Sequence, residues 1–194
     1  MNSRTCFHIS DDRLLSRKSD INEEQSEMGN DRLKMDADAF KHKLAENNYI
    51  DGKEELLPEA FQRQLCLLRE VISASHFADK EMVLNRRNGL RFKSTGGMGE
   101  YISLSSLSSG EKHILIQTLE LIFFAEEGML AMVDEPELSF HPAWLNQYLG
   151  ILKQIQQLKS SENRPFQMII ATHSPELIGR HWDWSIDLYE NRIR

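Results

Sequence analysis

Met129-Leu130-Ala131-Met132-Val133-Asp134-Glu135 is the stretch that decides the fold. Five apolar residues run directly into two acids, and Pro136 follows. An apolar run of this length without polar alternation reads as a strand covered on both faces, as in a parallel sheet flanked by helices. Acids that end such a strand lie at the C-terminal edge of the sheet, where ligands of these folds bind. A second run of the same kind, Phe166 to Thr172, ends in His173-Ser174-Pro175. Between the two, Pro142 to Lys159 is expected to be helical, with Pro142 in its first turn. A short helix and a last strand over Ser185–Tyr189 complete the alternation. The fold class expected is α/β, a parallel sheet with helices on both faces.

Working back toward the N-terminus, Leu107-Ser108-Ser109-Gly110-Glu111-Lys112 precedes a helix expected over Gly110–Glu126, apolar at Ile114, Leu115, Leu119 and Ile122. Small residues at a helix start leave backbone N–H groups free at the positive end of the dipole, which suits an anion. Alone, the same turn reads more simply as a cap made by Ser109 that needs no ligand. Gly89-Leu90-Arg91-Phe92-Lys93 and Tyr101-Ile102-Ser103-Leu104 alternate apolar with polar and predict a β-hairpin. The glycines between them, Gly96, Gly97 and Gly99, lack a following Lys-Ser/Thr and open no helix, so they read as a plain turn.

Residues 37–85 are expected to be helical. Phe40 and Leu44 share one face of a helix from Ala37 to Tyr49, which Asp51-Gly52 ends. Phe61, Leu65, Leu68 and Ile72 share one face of a second helix from Pro58 to Ala74, with Cys66 read as a small buried hydrophobe. Residues 1–36 are polar and read as disordered, because little in Ser10–Asp36 could be buried to offset ordering. Residues 86–194 form the third unit.

Composition excludes several classes. No apolar run reaches the roughly 20 residues of a membrane span, and the N-terminus lacks the apolar core of a secretory signal. Two cysteines, Cys6 and Cys66, in unrelated contexts point to a reducing compartment, the cytoplasm. A net charge of −7 argues against a generally basic, nucleic-acid-coating surface. Arg86-Arg87, Arg91 and Lys93 form a local basic cluster and read as a solvated strand edge. His8, His42, His76, His113 and His181 have no metal-ligand spacing and no cysteine partners, so zinc is not expected.

The acids and His173 carry the chemistry. Adjacent residues at a strand end point in different directions, so one carboxylate can hold a metal ion while its neighbour faces a water. A surface turn is the bland reading of the same Asp-Glu-Pro. His173 could donate to an anion, and His141 reads on its own as a loop residue before Pro142.

Together these residues resemble the ABC-type ATPases, in the soluble branch that includes the overcoming-lysogenization-defect (OLD) nucleases, abortive-infection AAA-type ATPases and the chromosome-maintenance and break-repair ATPases. Leu107 to Lys112 matches the signature, Val133 to Glu137 matches Walker B, Leu138-Ser139-Phe140-His141-Pro142 resembles the D-loop, and Ala171 to Pro175 matches the switch histidine. The resemblance covers about residues 86–194 and implies ATP hydrolysis with Mg²⁺. It implies Asp134 on Mg²⁺, Glu135 polarising the attacking water and His173 sensing the γ-phosphate. Ser108, Ser109, Gly110 and Glu111 would act in trans, on a nucleotide held by the opposite subunit of a head-to-tail dimer, with Ser139 and His141 in the D-loop.

One motif is missing. GxxxxGK[ST] occurs nowhere in the 194 residues, and Gly52-Lys53 is followed by Glu54 with no glycine five positions earlier. The chain therefore looks like the C-terminal half of an ATPase that works as a homo- or heterodimer or with a Walker A-bearing partner, through which a nuclease or nucleic acid could be engaged. The nuclease module of some relatives is not in this sequence. The rival reading is a non-catalytic interaction or regulatory protein, or a remnant, that docks on an intact ATPase. Phage defence, toxin–antitoxin action and DNA repair all share these motifs.

Overall fold

The computed structural model describes residues 6–9, 21–74, 77, 79–96, 99–140, 142–179 and 181–187, with the side chains of 6–9, 21–27, 74 and 138–139 excepted. In chain order the elements are β1 (Cys6–Ile9), α1 (Ile21–Glu46), α2 (Glu59–Ala74), β2 (Lys80–Asn85), β3 (Gly89–Ser94) and β4 (Tyr101–Ile102). They continue with α3 (Ser109–Leu119), β5 (Leu130–Asp134), α4 (Pro142–Lys159), β6 (Gln167–Ala171) and α5 (Pro175–Ile178). The class is α/β.

Among the described residues two sheets divide the strands. One is parallel, in the order β1-β5-β6, with Met132 opposite His8 on one side and Ile169 on the other. The other is antiparallel, in the order β2-β3-β4. The helices expected at 58–74 and 142–159 and the strands expected at 129–133 and 166–172 all form within one or two residues of those bounds.

A single apolar core runs through both halves of the chain. Leu33, Phe40 and Leu44 of α1, Leu65 and Leu68 of α2, and Ile114, Leu115 and Leu119 of α3 are all buried in it. α3 is buried on all sides from Ile114 onward, and the polar side chains in that stretch are satisfied: Gln117 Oε1 accepts from the Tyr148 hydroxyl and Thr118 Oγ1 donates to the Ile114 carbonyl, both at 2.6 Å. It ends in one π-helical turn, Glu120–Phe124, which Ala125 N–H closes onto the Glu120 carbonyl at 2.8 Å.

Several expectations are corrected here. Residues 21–36, read as disordered, belong to α1, because Leu33 is buried and Arg32 bonds the buried Glu120 at 2.9 and 2.5 Å. Tertiary anchoring thus overrides a weak composition. Residues 6–9, read with them, form a strand that pairs with β5, while residues 10–20 lie outside the described residues. Lys80–Asn85, read as the end of a helical region, is β2, and a three-residue loop joins it to β3 with Asn85 opposite Gly89. Gly89 has φ +73° and an added Cβ would meet Lys41 Cβ at 3.0 Å, so both backbone and space call for glycine there. Cys66 is exposed, turned away from the buried Leu65–Leu68 face. Ser185–Asp187 are exposed and outside any strand, where Trp184 stacks on His181 and lies under Lys153 Nζ at 4.8 Å. Gly97 and Met98 lie outside the described residues, as do 188–189.

Coverage of the parallel sheet is one-sided among the described residues. Ala131 and Val133 are in the core, whereas Met132 and Ile169, which point the other way, are 37% and 53% exposed. No helix among the described residues is long and apolar enough to cross a membrane.

The Arg32–Glu120 pair sits beside a second carboxylate. Burial, then the Glu120 charge, raises Asp36 from 3.8 to about 7, against the pull of Arg32. One oxygen of each carboxylate is buried without a hydrogen-bond partner. A carboxylic acid whose pKa rises on folding favours the fold while protonated, so this stability is present below about pH 4 and is lost as pH climbs toward 7. Asp36→Asn should therefore raise Tm at pH 8, on the order of 1 kcal/mol or roughly 2–4 °C once solvent screening is allowed for. The same variant should gain little at pH 4. An equal gain at both values in a thermal melt would remove Asp36 as the titrating group.

Candidate functional site

β5 and β6 run parallel in register, so both deliver their last residues to one edge, with Asp134 opposite Ala171. The chain leaves β5 at Glu135, whose N–H donates to the Ala171 carbonyl at 2.8 Å. Glu135 has φ +41° and ψ 53°, the left-handed region that few residues other than glycine enter. Backbone strain of this sort persists where the surrounding structure over-determines it, and it clusters at functional sites. Pro136 follows and starts a short 3₁₀ turn over Pro136–Ser139.

That turn places Glu135 Oε1 3.4 Å from His173 Nε2. The imidazole is 92% exposed and the carboxylate 29%, so the pair faces solvent at the sheet edge. Asp134 is half-buried beside them. Three of the expected site residues are thus brought together.

Glu137 holds the arrangement, and sequence reasoning passed it over. Its Oε1 accepts from the Thr172 hydroxyl and from His173 N–H at 3.3 Å. Thr172 Oγ1 in turn accepts from Ser174 N–H at 3.0 Å, and Ser174 Oγ caps α5 through Leu177 N–H at 3.1 Å. One carboxylate therefore ties the turn after β5 to the turn after β6. The signal was a third acid two residues beyond Glu135; nothing local says that it reaches another strand. Behind it Phe140 packs edge-on against Tyr148 at 4.9 Å and against His113 of α3 at 5.5 Å. Burial, reinforced by the Glu137 charge, holds the Tyr148 phenol well above its ordinary value, and the phenol donates to Gln117 Oε1 at 2.6 Å.

The serine turn is a complete capping box. Ser108, not Ser109, is the N-cap: its hydroxyl accepts from Glu111 N–H at 3.3 Å while Glu111 Oε2 accepts from Ser108 N–H at 2.8 Å. Glu111 Oε1 takes Lys80 Nζ at 2.8 Å, so this carboxylate is buried and fully engaged. Ser108 and Ser109 are exposed. Among the described residues no hydrogen bond or ion pair joins this turn to Asp134, Glu135 or His173. His141 lies outside the described residues, and of Ser139 only the backbone, in the 3₁₀ turn, is described.

No group of three or more His, Cys, Asp or Glu side chains among the described residues could enclose a metal ion. Asp134 alone fits Mg²⁺ in the manner usual for that ion, which takes one or two carboxylates and fills its other positions with phosphate and water.

The solved structures similar to this chain include three of one kind. One is the SmcHead bound to the C-winged helix domain of ScpA (14% identity, 61% of this chain and 36% of that chain, TM-score 0.43). Another comes from work on ATP-driven dimerization and DNA stimulated activation of SMC ATPases (14%, 65% and 76%, 0.38). The third is the Smc head domain with an extended coiled coil bound to the C-terminal domain of ScpA derived from Pyrococcus furiosus (16%, 81% and 40%, 0.42). This chain thus spans little more than a third of the first of them. No curated protein matches it. A family model matches residues 10–179, nearly the whole described region, and by that match the chain belongs to the family described as AAA domain, putative AbiEii toxin, Type IV TA system.

Proposed function

We propose that the edge shared by β5 and β6 is the water-activating half of an ATP-hydrolysing site. The observation that carries this reading is the approach of Glu135 to His173, 3.4 Å apart and open to solvent, on a left-handed backbone next to Asp134. Glu135 accepts the proton of the attacking water as its oxygen moves onto the γ-phosphorus of ATP and the bond from that phosphorus to the bridging oxygen breaks, releasing ADP and phosphate. His173, fixed through its N–H by Glu137, donates to a γ-phosphate oxygen. Asp134 holds the Mg²⁺ that neutralises phosphate charge. Ser108 and the free N–H groups of Ser109 and Gly110 grip the phosphate of a nucleotide bound to an opposing subunit, with Ser139 and His141 in the contact between the two. Glu111 shapes that turn and leaves the anion to its neighbours.

The phosphate-cradling loop comes from a segment outside these 194 residues, in a longer chain or in a second protein. Two features support this. β6 pairs with β5 alone among the described residues, leaving its other edge able to accept a further parallel strand. The sheet face bearing Met132 and Ile169 is exposed, where parallel sheets are normally covered. Toxin–antitoxin action is the process that the family description names.

Titration calorimetry tests the division of labour. The 194-residue chain should bind Mg-ATP more weakly than about 1 mM, and micromolar affinity should follow once a GxxxxGK[ST]-bearing segment is supplied. Micromolar binding to the chain by itself would refute the need for a second segment. Failure of both preparations to bind would favour the non-catalytic interaction reading.

A further inference from the structure

The outward face of the β2-β3-β4 sheet has a composition the proposed ATPase site does not use. Side chains alternate across a strand, and the register places Met82, Leu84, Leu90 and Phe92 in the core. Arg91, Lys93 and Tyr101 share the opposite face, with Lys93 directly opposite Tyr101 on β4. Tyr101 is 55% exposed, and its ring is approached by the Arg91 guanidinium at 5.3 Å and by Lys93 Nζ at 5.2 Å. Both cations are half-buried, since their stems run along the sheet toward the ring. More than half of the residue is open to solvent, which leaves ring surface on which a flat partner can stack.

The positive charge continues to the end of the hairpin. Arg86 and Arg87 form the exposed β2–β3 loop, and with Lys41, Asn85, Asn88 and Asp51 they line an open cleft of about 710 Å³. Among the described residues, Lys41, Arg86, Arg87, Arg91 and Lys93 make no ion pair. Three acids lie nearby and leave the cations in excess: Asp51, which accepts from Asn85 Nδ2 and Arg86 N–H, both at 2.7 Å, Glu81, opposite Lys93 on β2, and Glu100. On a protein of net charge −7, four cations along one strand and its loop, with Lys41 of α1 beside them, are a local anion track. Alternate residues of β3 stand about 6.6 Å apart, so Arg91, Lys93 and the loop arginines form a row and not a point.

We infer that this face binds single-stranded nucleic acid, with the cation row on the phosphates and Tyr101 stacking an unpaired base. An acidic polypeptide would use the cations and leave the aromatic platform idle, and a duplex keeps its base faces covered. Stacking on an exposed ring and a positive groove are together the elements of sequence-tolerant single-strand binding. The inference stands apart from the ATPase reading and does not need it.

Fluorescence anisotropy with an oligothymidylate of about 16 nucleotides tests it, using the full chain, the matching duplex, and polyglutamate as competitor. The single strand should bind better than the duplex, and log affinity should fall with log salt by about 0.7 per phosphate neutralised. Arg91→Ser with Lys93→Ser should flatten that slope by about 1 to 1.5. Tyr101→Ala should weaken binding about 5- to 100-fold while the slope stays as it was, and Tyr101→Phe should restore it. All three positions are on the outward face of the sheet, and an unchanged melting temperature confirms that the variants fold. Absence of binding, indifference to these substitutions, preference for duplex, or equal displacement by polyglutamate of the same charge would each overturn the proposal.

Discussion

Glu135→Gln should lower ATP turnover by about 10²–10⁴ in a preparation that supplies the phosphate-cradling loop, and should leave nucleotide-dependent assembly intact. The amide keeps the shape of the carboxylate and can still meet a water, but it cannot take the water's proton or present negative charge. Its contact with His173 changes from an acid–imidazole approach to a neutral hydrogen bond, while the left-handed backbone at φ +41° is asked of either side chain alike. The substitution therefore removes chemistry and spares the fold. Turnover measured at saturating nucleotide, alongside gel filtration with ATP, separates the two effects. Wild-type turnover in the variant would make Asp134-Glu135 a structural strand end and put the interaction-protein reading first. Loss of assembly together with turnover would show that Glu135 serves the contact between subunits.

What could be read from the sequence, and what could not, follows from the range over which each feature is determined. β5, β6 and α4 declare themselves locally, through unbroken apolar runs and a helical repeat bounded by prolines. β2 does not: Met82 and Leu84 alternate with Glu81 and Val83, but six residues next to a long helix give too short a pattern to separate from its end. Its placement depends on the loop at Asn85–Gly89 and on the fit of Gly89 against Lys41. α1 was missed over residues 21–36 because its anchors lie far along the chain. Arg32 meets Glu120, 88 residues away, and no local composition records that bond. The same holds in the candidate site. Asp134, Glu135 and His173 are expected at strand ends, and they lie together at one sheet edge. Glu137 was missed, since its partners Thr172 and His173 become neighbours only when β5 and β6 pair in register. Glu111 was grouped with the anion-binding residues, and the Lys80 bond that engages it comes from the strand that the sequence reading overlooked.

Phe123→Ala should cost about 3–5 kcal/mol of stability, at the top of the range for a single core truncation. Phe123 stands in the π-helical turn after α3 and is 6% exposed. Its ring meets Phe40 of α1 edge-on at 4.7 Å and Phe61 of α2 edge-on at 5.7 Å. The turn itself is held from α2, where Gln64 Nε2 donates to the Ile122 carbonyl at 2.9 Å. Truncation leaves a void between three elements that come from distant parts of the sequence, and the other two rings cannot close it without moving their helices. Edge-to-face contacts add about 0.5–1.5 kcal/mol beyond buried area, so two are lost together with the transfer term. Against a total stability of roughly 5–15 kcal/mol, the variant should melt roughly 6–20 °C lower. Phe123→Leu, which refills part of the volume, should recover a substantial share. A melt of Phe123→Ala within about 2 °C of the parent, the shift expected from well under 1 kcal/mol, would mean that α1 and α2 do not dock on this turn. The single core joining residues 33–72 to residues 107–177 would then have to be abandoned in favour of two independently stable units.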